Sequence, residues 1–190
     1  MNDNRHPDDT DVVRDDDDAQ VVIFRLGAEE FGVPIMSVQE IVRVPETLTR
    51  VPRTPRFVEG VINLRGTVLP VIDQRTRLGM EGIERNDRQR IMVYLLSGVR
   101  TGFIVDSVAE VLRIPRQQID PAPDLSDEQG RLISRVAKLD GDKRLVMMID
   151  PAHLLQSREV QDMTQWSEPD SAPAAEPATR AHAQPLRQAA

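Results

Sequence analysis

The sequence has no cysteine among its 190 residues, and this absence removes several kinds of chemistry at once. Without thiols the chain cannot form disulfides, bind a metal through thiolates or use a cysteine nucleophile. The three histidines, His6, His153 and His182, lie far apart, and no pair has the spacing of metal ligands. Glycine-rich phosphate loops followed by lysine and dinucleotide-binding fingerprints are also missing. We therefore expect neither an enzyme active site nor a metal site, and no cofactor.

Long apolar runs are missing as well. No window contains 18 consecutive apolar residues, and the chain does not open with a charged leader followed by an apolar segment. These are the features that mark membrane spans and secretory signals. We therefore expect a protein without direct membrane insertion and without secretion.

Negative charge is present, but it is unevenly placed along the chain. Residues 1–20 contain eight aspartates and two arginines, whereas residues 21–159 carry a net charge of only +1. The first 20 residues have little to bury, so we expect an acidic disordered tail. The segment 157–190 is expected to extend a helix and then continue as a disordered tail rich in proline and alanine.

Between these tails the sequence is typical of short strands joined by tight turns. Two apolar runs, Val61 to Leu64 and Val68 to Ile72, flank a turn at Arg65-Gly66-Thr67. This pattern predicts a β-hairpin in which Gly66 supplies the positive φ that the turn needs. Arg65 then lies at the hairpin tip, where its charge contacts either solvent or a partner.

An internal repeat relates two halves of the chain, about 21–79 and about 90–156. At an offset of 70 residues, the segment 37–45 matches 107–115, with identical Ser, Val, Glu, Arg and Pro. About five short strands per half are too few to hide the edges of an open sheet. We therefore predict a mainly all-β fold of two related five-stranded β-barrels packed together, with short helices. The sequence leaves open whether each half makes its own barrel or strands cross between them.

Local patterns make three further predictions. Strand alternation places the aromatic side chains mainly inward, namely Phe24, Phe31, Tyr94 and Phe103. Asp73 follows the second strand of the hairpin, where it can cap a short helix over 74–78. Ser37 and Glu40 have the spacing of a capping box, so a single helical turn can start at Ser37 before a β-prone stretch.

A small barrel could also bind nucleic acid, and one segment is rich in arginine. These arginines are Arg43, Arg50, Arg53, Arg56, Arg65, Arg75 and Arg77. Binding of a single strand usually requires exposed aromatic side chains for base stacking, and here the few aromatics are needed for the cores. The charge of the central region is also too low for strong affinity to phosphates. We keep this function as a remote alternative and expect no nucleic acid as partner.

Several motifs together resemble the signature of CheW-like domains of bacterial chemotaxis, over about residues 20–156. The longest reads Phe57-Val-x-Gly-Val-Ile-Asn-Leu-Arg-Gly66, followed by Pro70-Val-Ile-Asp-x-Arg75. Shorter matches are Glu30-Phe-Gly-Val33, Val38-Gln-Glu-Ile41, Val105-Asp-x-Val-x-x-Val111 and Asp120-Pro-Ala-Pro123. The resemblance implies two SH3-like barrels in a non-enzymatic cytoplasmic adaptor. Such adaptors couple the signalling tips of methyl-accepting chemoreceptors to the regulatory domain of the histidine kinase CheA, at receptor arrays on the inner face of the membrane.

Residue by residue, the resemblance implies a receptor-binding groove at five positions. They are Val38, Glu40, Gly60, Asn63 and Arg65. Three of them have a structural alternative: Val38 could be part of the core, Gly60 could serve backbone geometry, and Arg65 could pair with Glu40 inside the chain. The resemblance favours partner contact for Arg65, and the residues that bind the kinase stay unknown.

The chain also departs from the family pattern. Gln74 stands where many relatives have an apolar residue, and both tails exceed a minimal member. These departures suggest the alternative that the protein is a CheW paralogue of a twitching or other non-flagellar chemosensory system.

Overall fold

The computed structural model of the protein describes residues 18–123, 132–141 and 143–167, which form two β-sheets with few helices. The strands are β1 (Asp18–Leu26), β2 (Glu29–Pro34), β3 (Val38–Arg43), β4 (Val58–Leu64), β5 (Thr67–Asp73), β6 (Arg90–Leu96), β7 (Val99–Val105), β8 (Ser107–Pro115), β9 (Ile119–Pro121), β10 (Ile133–Leu139) and β11 (Arg144–Ile149). The α-helices are α1 (Gln74–Arg77) and α2 (Ser157–Ser167), and 3-10 turns cover Ile35–Ser37, Arg116–Gln118 and Pro151–His153.

Each sheet is built from strands of both repeat halves. The first sheet has the order β8-β1-β2-β11-β10-β9, and the second has the order β3-β6-β7-β5-β4. In the first sheet, the first two strands of the first half combine with the last four strands of the second half. In the second sheet, the first two strands of the second half combine with the last three strands of the first half, and the repeat-equivalent strands follow the same order in both sheets. This exchange answers the question that the sequence left open, because strands do cross between the halves.

The two halves join through antiparallel pairs, β1 with β8 and β3 with β6, and through two parallel pairs. Strand β2 pairs with β11 at Phe31 and Gly32, and β7 pairs with β5 at Gly102 and Phe103. Gly32 and Gly102 occupy equivalent repeat positions, and a Cβ on either would collide with side chains of the neighbouring strands. Glycine at both positions therefore lets the exchanged strands approach closely.

The main hydrophobic core lies between the sheets. It contains the four aromatic side chains that strand alternation predicted to point inward, namely Phe24, Phe31, Tyr94 and Phe103. Phe24 stacks on Phe31 with ring centroids 5.7 Å apart, and Tyr94 meets Phe103 at 5.4 Å. The prediction that these aromatic side chains point inward is confirmed. Because the two pairs come from different halves, the main core is shared between the halves.

Each sheet also curves around a smaller cluster on its other face. In the first sheet, Ile114 on β8 clusters with Ala137 and Leu139 on β10, although three strands lie between β8 and β10 in the sheet order. The sheet must bend to bring these side chains together. The predicted SH3-like barrels are nevertheless not confirmed, since within the described residues the end strands of neither sheet pair with each other.

Several local predictions can be compared with the structure. Gly66 has φ +85°, as the hairpin turn requires, and Asp73 caps α1 by accepting a hydrogen bond from the Thr76 N–H at 3.0 Å. Strand β1 begins at Asp18, so the last three residues of the predicted acidic tail are paired with β8. The rest of that tail and residues 168–190 lie outside the described residues.

One helical prediction is wrong. The capping-box spacing from Ser37 to Glu40 predicted a helical turn starting at Ser37, but a 3-10 turn ends there and β3 follows. The β-branched residues of β3 pair with β6, and this tertiary pairing outweighs a local capping preference. In the described part of the chain, no helix is long and apolar enough to cross a membrane.

Gly102→Ala should destabilise the fold, because the added Cβ would lie 2.5 Å from Ile91 Cγ2 and 3.2 Å from Leu69 Cδ2. Overpacking of this kind costs about 1–3 kcal/mol of the free energy of unfolding. Urea unfolding followed by circular dichroism measures the change. Gly82→Ala is the matched control, because only Asp73 Oδ2, at 3.9 Å, lies near its Cβ. Equal midpoints for the two variants would contradict the steric argument.

The buried side-chain amide of Gln74 should reduce the stability of the fold. Its side chain is 1% exposed, and neither amide atom has a hydrogen-bond partner in the described structure. An unsatisfied buried polar group costs about 1–3 kcal/mol, so Gln74→Leu should raise the free energy of unfolding by a similar amount. Gln89→Leu should lower the free energy of unfolding instead, because Gln89 is also buried but accepts a hydrogen bond from the Asn86 N–H. Destabilisation of both variants in thermal unfolding would contradict this account.

Candidate functional site

The tip of the β4–β5 hairpin presents Arg65 to solvent. Arg65 and Gly66 form a two-residue turn in which both φ angles are positive, at +54° and +85°. Asn63 Oδ1 accepts a hydrogen bond from the Gly66 N–H at 2.8 Å. The turn is thereby held by local bonds, while the Arg65 side chain stays 80% exposed.

Glu40 reaches this tip from the opposite edge of the same sheet. Strands β3 and β4 are the two edge strands, yet Arg65 Nη2 lies 3.3 Å from Glu40 Oε2. The curvature of the sheet brings them together. The structure thus contains the intramolecular pair that the sequence offered as the alternative role of Arg65. Because Arg65 is so exposed, this pair is worth at most about 1 kcal/mol, and the guanidinium remains accessible to a partner.

Arg100 on β7 is a member of this site that the sequence reasoning missed. Its Nη2 donates a hydrogen bond to Glu40 Oε1, so the carboxylate of Glu40 lies between two arginines. A signal was available in the repeat, because Arg100 falls 70 residues after Glu30 and the charge is inverted there.

The equivalent place on the first sheet is arranged differently. Glu110 is the repeat partner of Glu40, and Glu30 stands at the repeat position of Arg100, so both positions are acidic here. Arg144 lies between the two carboxylates. Its Nη2 is 2.7 Å from Glu110 Oε1, and its Nε is 2.5 Å from Glu30 Oε2. Arg25 also bonds Glu30, at 2.8 Å. The hydrogen bond from Arg144 is the main cause that lowers the pKa of Glu30 below its usual value. This twin site is closed by its own ion pairs, and its turn carries Asp140 instead of arginine.

Val38 and Gly60 have structural roles in the strands that carry the site. Val38 is half-buried, pairs with Tyr94 and packs against the main core. Gly60 has φ +143°, and a Cβ there would lie 2.3 Å from the Thr49 carbonyl oxygen. Among the five residues expected to bind the receptor, the structure brings Glu40 and Arg65 into contact and uses Asn63 to hold the turn. Val38 and Gly60 fit their structural alternatives.

Other arginines of the same segment are used inside the molecule. Arg75 forms a salt bridge with Asp106 at 2.8 Å, and hydrogen bonding to that carboxylate raises the pKa of Arg75. Arg77 lies over the Phe57 ring, 5.3 Å from its centroid, and donates to the Leu154 carbonyl at 2.6 Å. Some arginines of the segment that looked like a basic patch therefore make contacts within the protein.

The hairpin site offers charged and apolar groups that can contact a partner. Glu40, Arg65 and Arg100 can exchange ion pairs and hydrogen bonds with a partner, and Leu95, which pairs with Arg100 across β6 and β7, adds an exposed apolar surface. Within the described ranges there is no group of three or more metal-ligating side chains. The site thus has the features of a protein-binding surface.

Glu30→Gln tests the closed twin site. At pH 7 this substitution should lower the free energy of unfolding by about 1–3 kcal/mol, because Arg144 and Arg25 lose their charged acceptor. The folded-state pKa of Glu30 lies below its unfolded value, so its contribution is present above that value and is lost as pH falls through the folded-state pKa.

Unfolding measured from pH 7 to pH 3 should therefore show a steeper loss below about pH 5 in the unsubstituted protein than in Glu30→Gln. Glu110→Gln is the control, since it removes a pair with a 43% exposed carboxylate and should change stability by less than about 1 kcal/mol. Parallel pH profiles for the unsubstituted protein and Glu30→Gln would rule out this role for Glu30.

Comparison with known proteins agrees with the resemblance seen in the motifs. The CheW-like domain family matches residues 20–159. A probable chemotaxis protein CheW of Rhizobium etli is 38% identical, and the alignment covers 75% of this chain and 90% of that protein. The chemotaxis protein CheW of Klebsiella aerogenes is 36% identical, with 74% and 84% covered.

A solved structure is similar as well. The scaffolding protein TtCheW from Thermoanaerobacter tengcongensis superposes with a TM-score of 0.67 at 32% identity, covering 75% of this chain and 95% of that one. The family match, the identities and the shared fold of two sheets extend over most of the chain. The protein therefore belongs to the CheW-like domain family of chemotaxis proteins.

Proposed function

We propose that the protein is a non-enzymatic scaffold that couples methyl-accepting chemoreceptors to the histidine kinase CheA. It would act in the cytoplasm, at receptor arrays on the inner face of the membrane, through the CheA regulatory domain on one side and a receptor signalling tip on the other. The observation that carries the proposal is the exposed Arg65 beside Glu40 in a chain of this family. Relatives named chemotaxis proteins and a similar structure named a scaffolding protein support the same function.

The geometry suits a helical partner. A receptor signalling tip is a helical hairpin, and helices dock by apolar contact that polar groups border and fix. Leu95 is 53% exposed and supplies apolar contact beside Arg100. Arg65 offers several donors to helix carbonyl oxygens or to a carboxylate, and it does so from a turn whose backbone is already held.

Within this proposal the five residues have separate tasks. Arg65 contacts the receptor, Glu40 orients its guanidinium together with Arg100, and Asn63 holds the turn. Val38 and Gly60 keep β3 and β4 in the conformation that places the other residues. Neither repeat half forms a sheet alone, so the proposed scaffold unit needs both halves, about residues 21–156, and other surfaces of the same unit would bind CheA.

Arg65→Glu should reduce receptor binding by about tenfold or more, because a charged hydrogen bond is worth about 1.5–3 kcal/mol and the new charge adds repulsion. Binding to the CheA regulatory domain should be unchanged. A pull-down with each partner, using the full chain, measures both effects, and circular dichroism checks the fold.

The matched control is Asp140→Ala. Asp140 has φ +52° in the twin turn, close to the +54° of Arg65, so both substitutions meet the same backbone constraint. Full receptor binding by Arg65→Glu would sink the assignment of the site. An unsubstituted protein that bound neither the receptor tip nor the CheA domain would overturn the proposed function itself.

A further inference from the structure

A cavity lined by three arginines lies in the loop that leads into β4. Arg50, Arg53 and Arg56 surround a space of about 360 Å³ together with Glu59 and neighbouring loop residues. All three arginines are exposed, and none has an ion-pair partner anywhere in the described structure. The acid on the cavity wall, Glu59, is occupied by Arg85 at 3.0 Å. The positive charge of this cavity is therefore not neutralised.

Local hydrogen bonds and prolines restrain the loop around the cavity. Thr54 Oγ1 donates to the Val51 carbonyl at 3.0 Å, and the Val58 N–H donates to the Pro55 carbonyl at 2.9 Å. Pro52 and Pro55 restrict φ in the same stretch. A preorganised loop loses little conformational freedom on binding, which favours a binding site over a set of mobile surface charges.

The chemistry of the cavity points to carboxylates. A guanidinium presents a planar fork of donors that matches a carboxylate, and three arginines line this one cavity. Bases of nucleic acid would need a stacking surface, and no aromatic side chain lines this cavity. An acidic peptide segment therefore fits the cavity better than a nucleic acid does.

The last described residues of α2 lie close to the arginine cavity. A second cavity, of about 300 Å³, shares Arg53 and Pro55 with the first and is also lined by α2 residues that include Asp162 and Gln165. The described chain ends two residues later, at Ser167. The chain thus leaves the described structure beside the arginine loop.

We propose that residues 168–176 of the same chain dock on the arginine cavity. This segment contains Glu168, Asp170 and Glu176 and no basic residue, so its charge of −3 matches the three arginines. Nine residues span at most about 30 Å, which is ample for a loop that begins next to Gln165. The contact is separate from the hairpin site, and it stands whether or not the proposed function does.

Paramagnetic relaxation in the full chain tests the docking directly. The protein has no cysteine, so Ser171→Cys provides a single position for a nitroxide label. At low ionic strength the amide signals of Val51, Thr54 and Glu59 should lose at least about half of their intensity. Each exposed ion pair contributes about 1.5- to 5-fold to the docking equilibrium, so replacing all three arginines by serine should weaken the effect at least about threefold.

The triple change Glu168→Gln, Asp170→Asn and Glu176→Gln should weaken the broadening of the amide signals to a similar extent. So should 1 M salt, where the Debye length is about 3 Å. The charge-matched control replaces three other exposed arginines by serine, Arg88, Arg135 and Arg158, and should leave the signal loss unchanged.

Absence of broadening in the labelled chain would overturn the proposal. The proposal would also be overturned if the control substitutions weakened the broadening as much as the substitutions of Arg50, Arg53 and Arg56 do. The spin-labelled chain at natural isotope abundance, mixed with ¹⁵N-labelled chain that carries no nitroxide, distinguishes the source of the segment. Broadening in that mixture would show that a second copy supplies it and would overturn docking within one chain.

Discussion

The exchange of strands between the two repeat halves is the constraint on which the rest of the structure depends. Strand β2 lies beside β11 and β7 lies beside β5, so each sheet is completed only by the other half. Gly32 and Gly102 permit these contacts because any Cβ there would occupy the space of neighbouring side chains. The main core then fills from both sheets, and neither half can bury its apolar face alone.

This exchange also builds the candidate site. Glu40 comes from the first half and Arg100 from the second, and they meet because β3 and β7 belong to one sheet. Repeat symmetry would place a similar site on the other sheet, but the charges there are inverted. Glu30 stands in place of Arg100, and Arg144 satisfies both Glu30 and Glu110. One scaffold used twice therefore presents one accessible arginine tip and one closed ion-pair network.

Local features of the fold were predictable because short-range chemistry decides them. The hairpin turn with positive φ at Gly66, the Asp73 cap and the inward aromatics all follow from backbone preference, capping and strand alternation. The helical turn expected at Ser37 failed because β3 pairs with β6, a contact more than 50 residues away. Arg100 was missed for a related reason, since its partner Glu40 lies 60 residues away and no motif joins them.

The sequence by itself determined the repeat, the hairpins and the resemblance to CheW-like domains, because each of these depends on residue type and local spacing. Only the tertiary structure decided that the halves exchange strands and that Arg65 contacts Glu40. Both depend on which distant strands hydrogen-bond and how the sheet curves. These are long-range choices that a period-two pattern leaves open, since it specifies which face is buried but not which strand lies alongside.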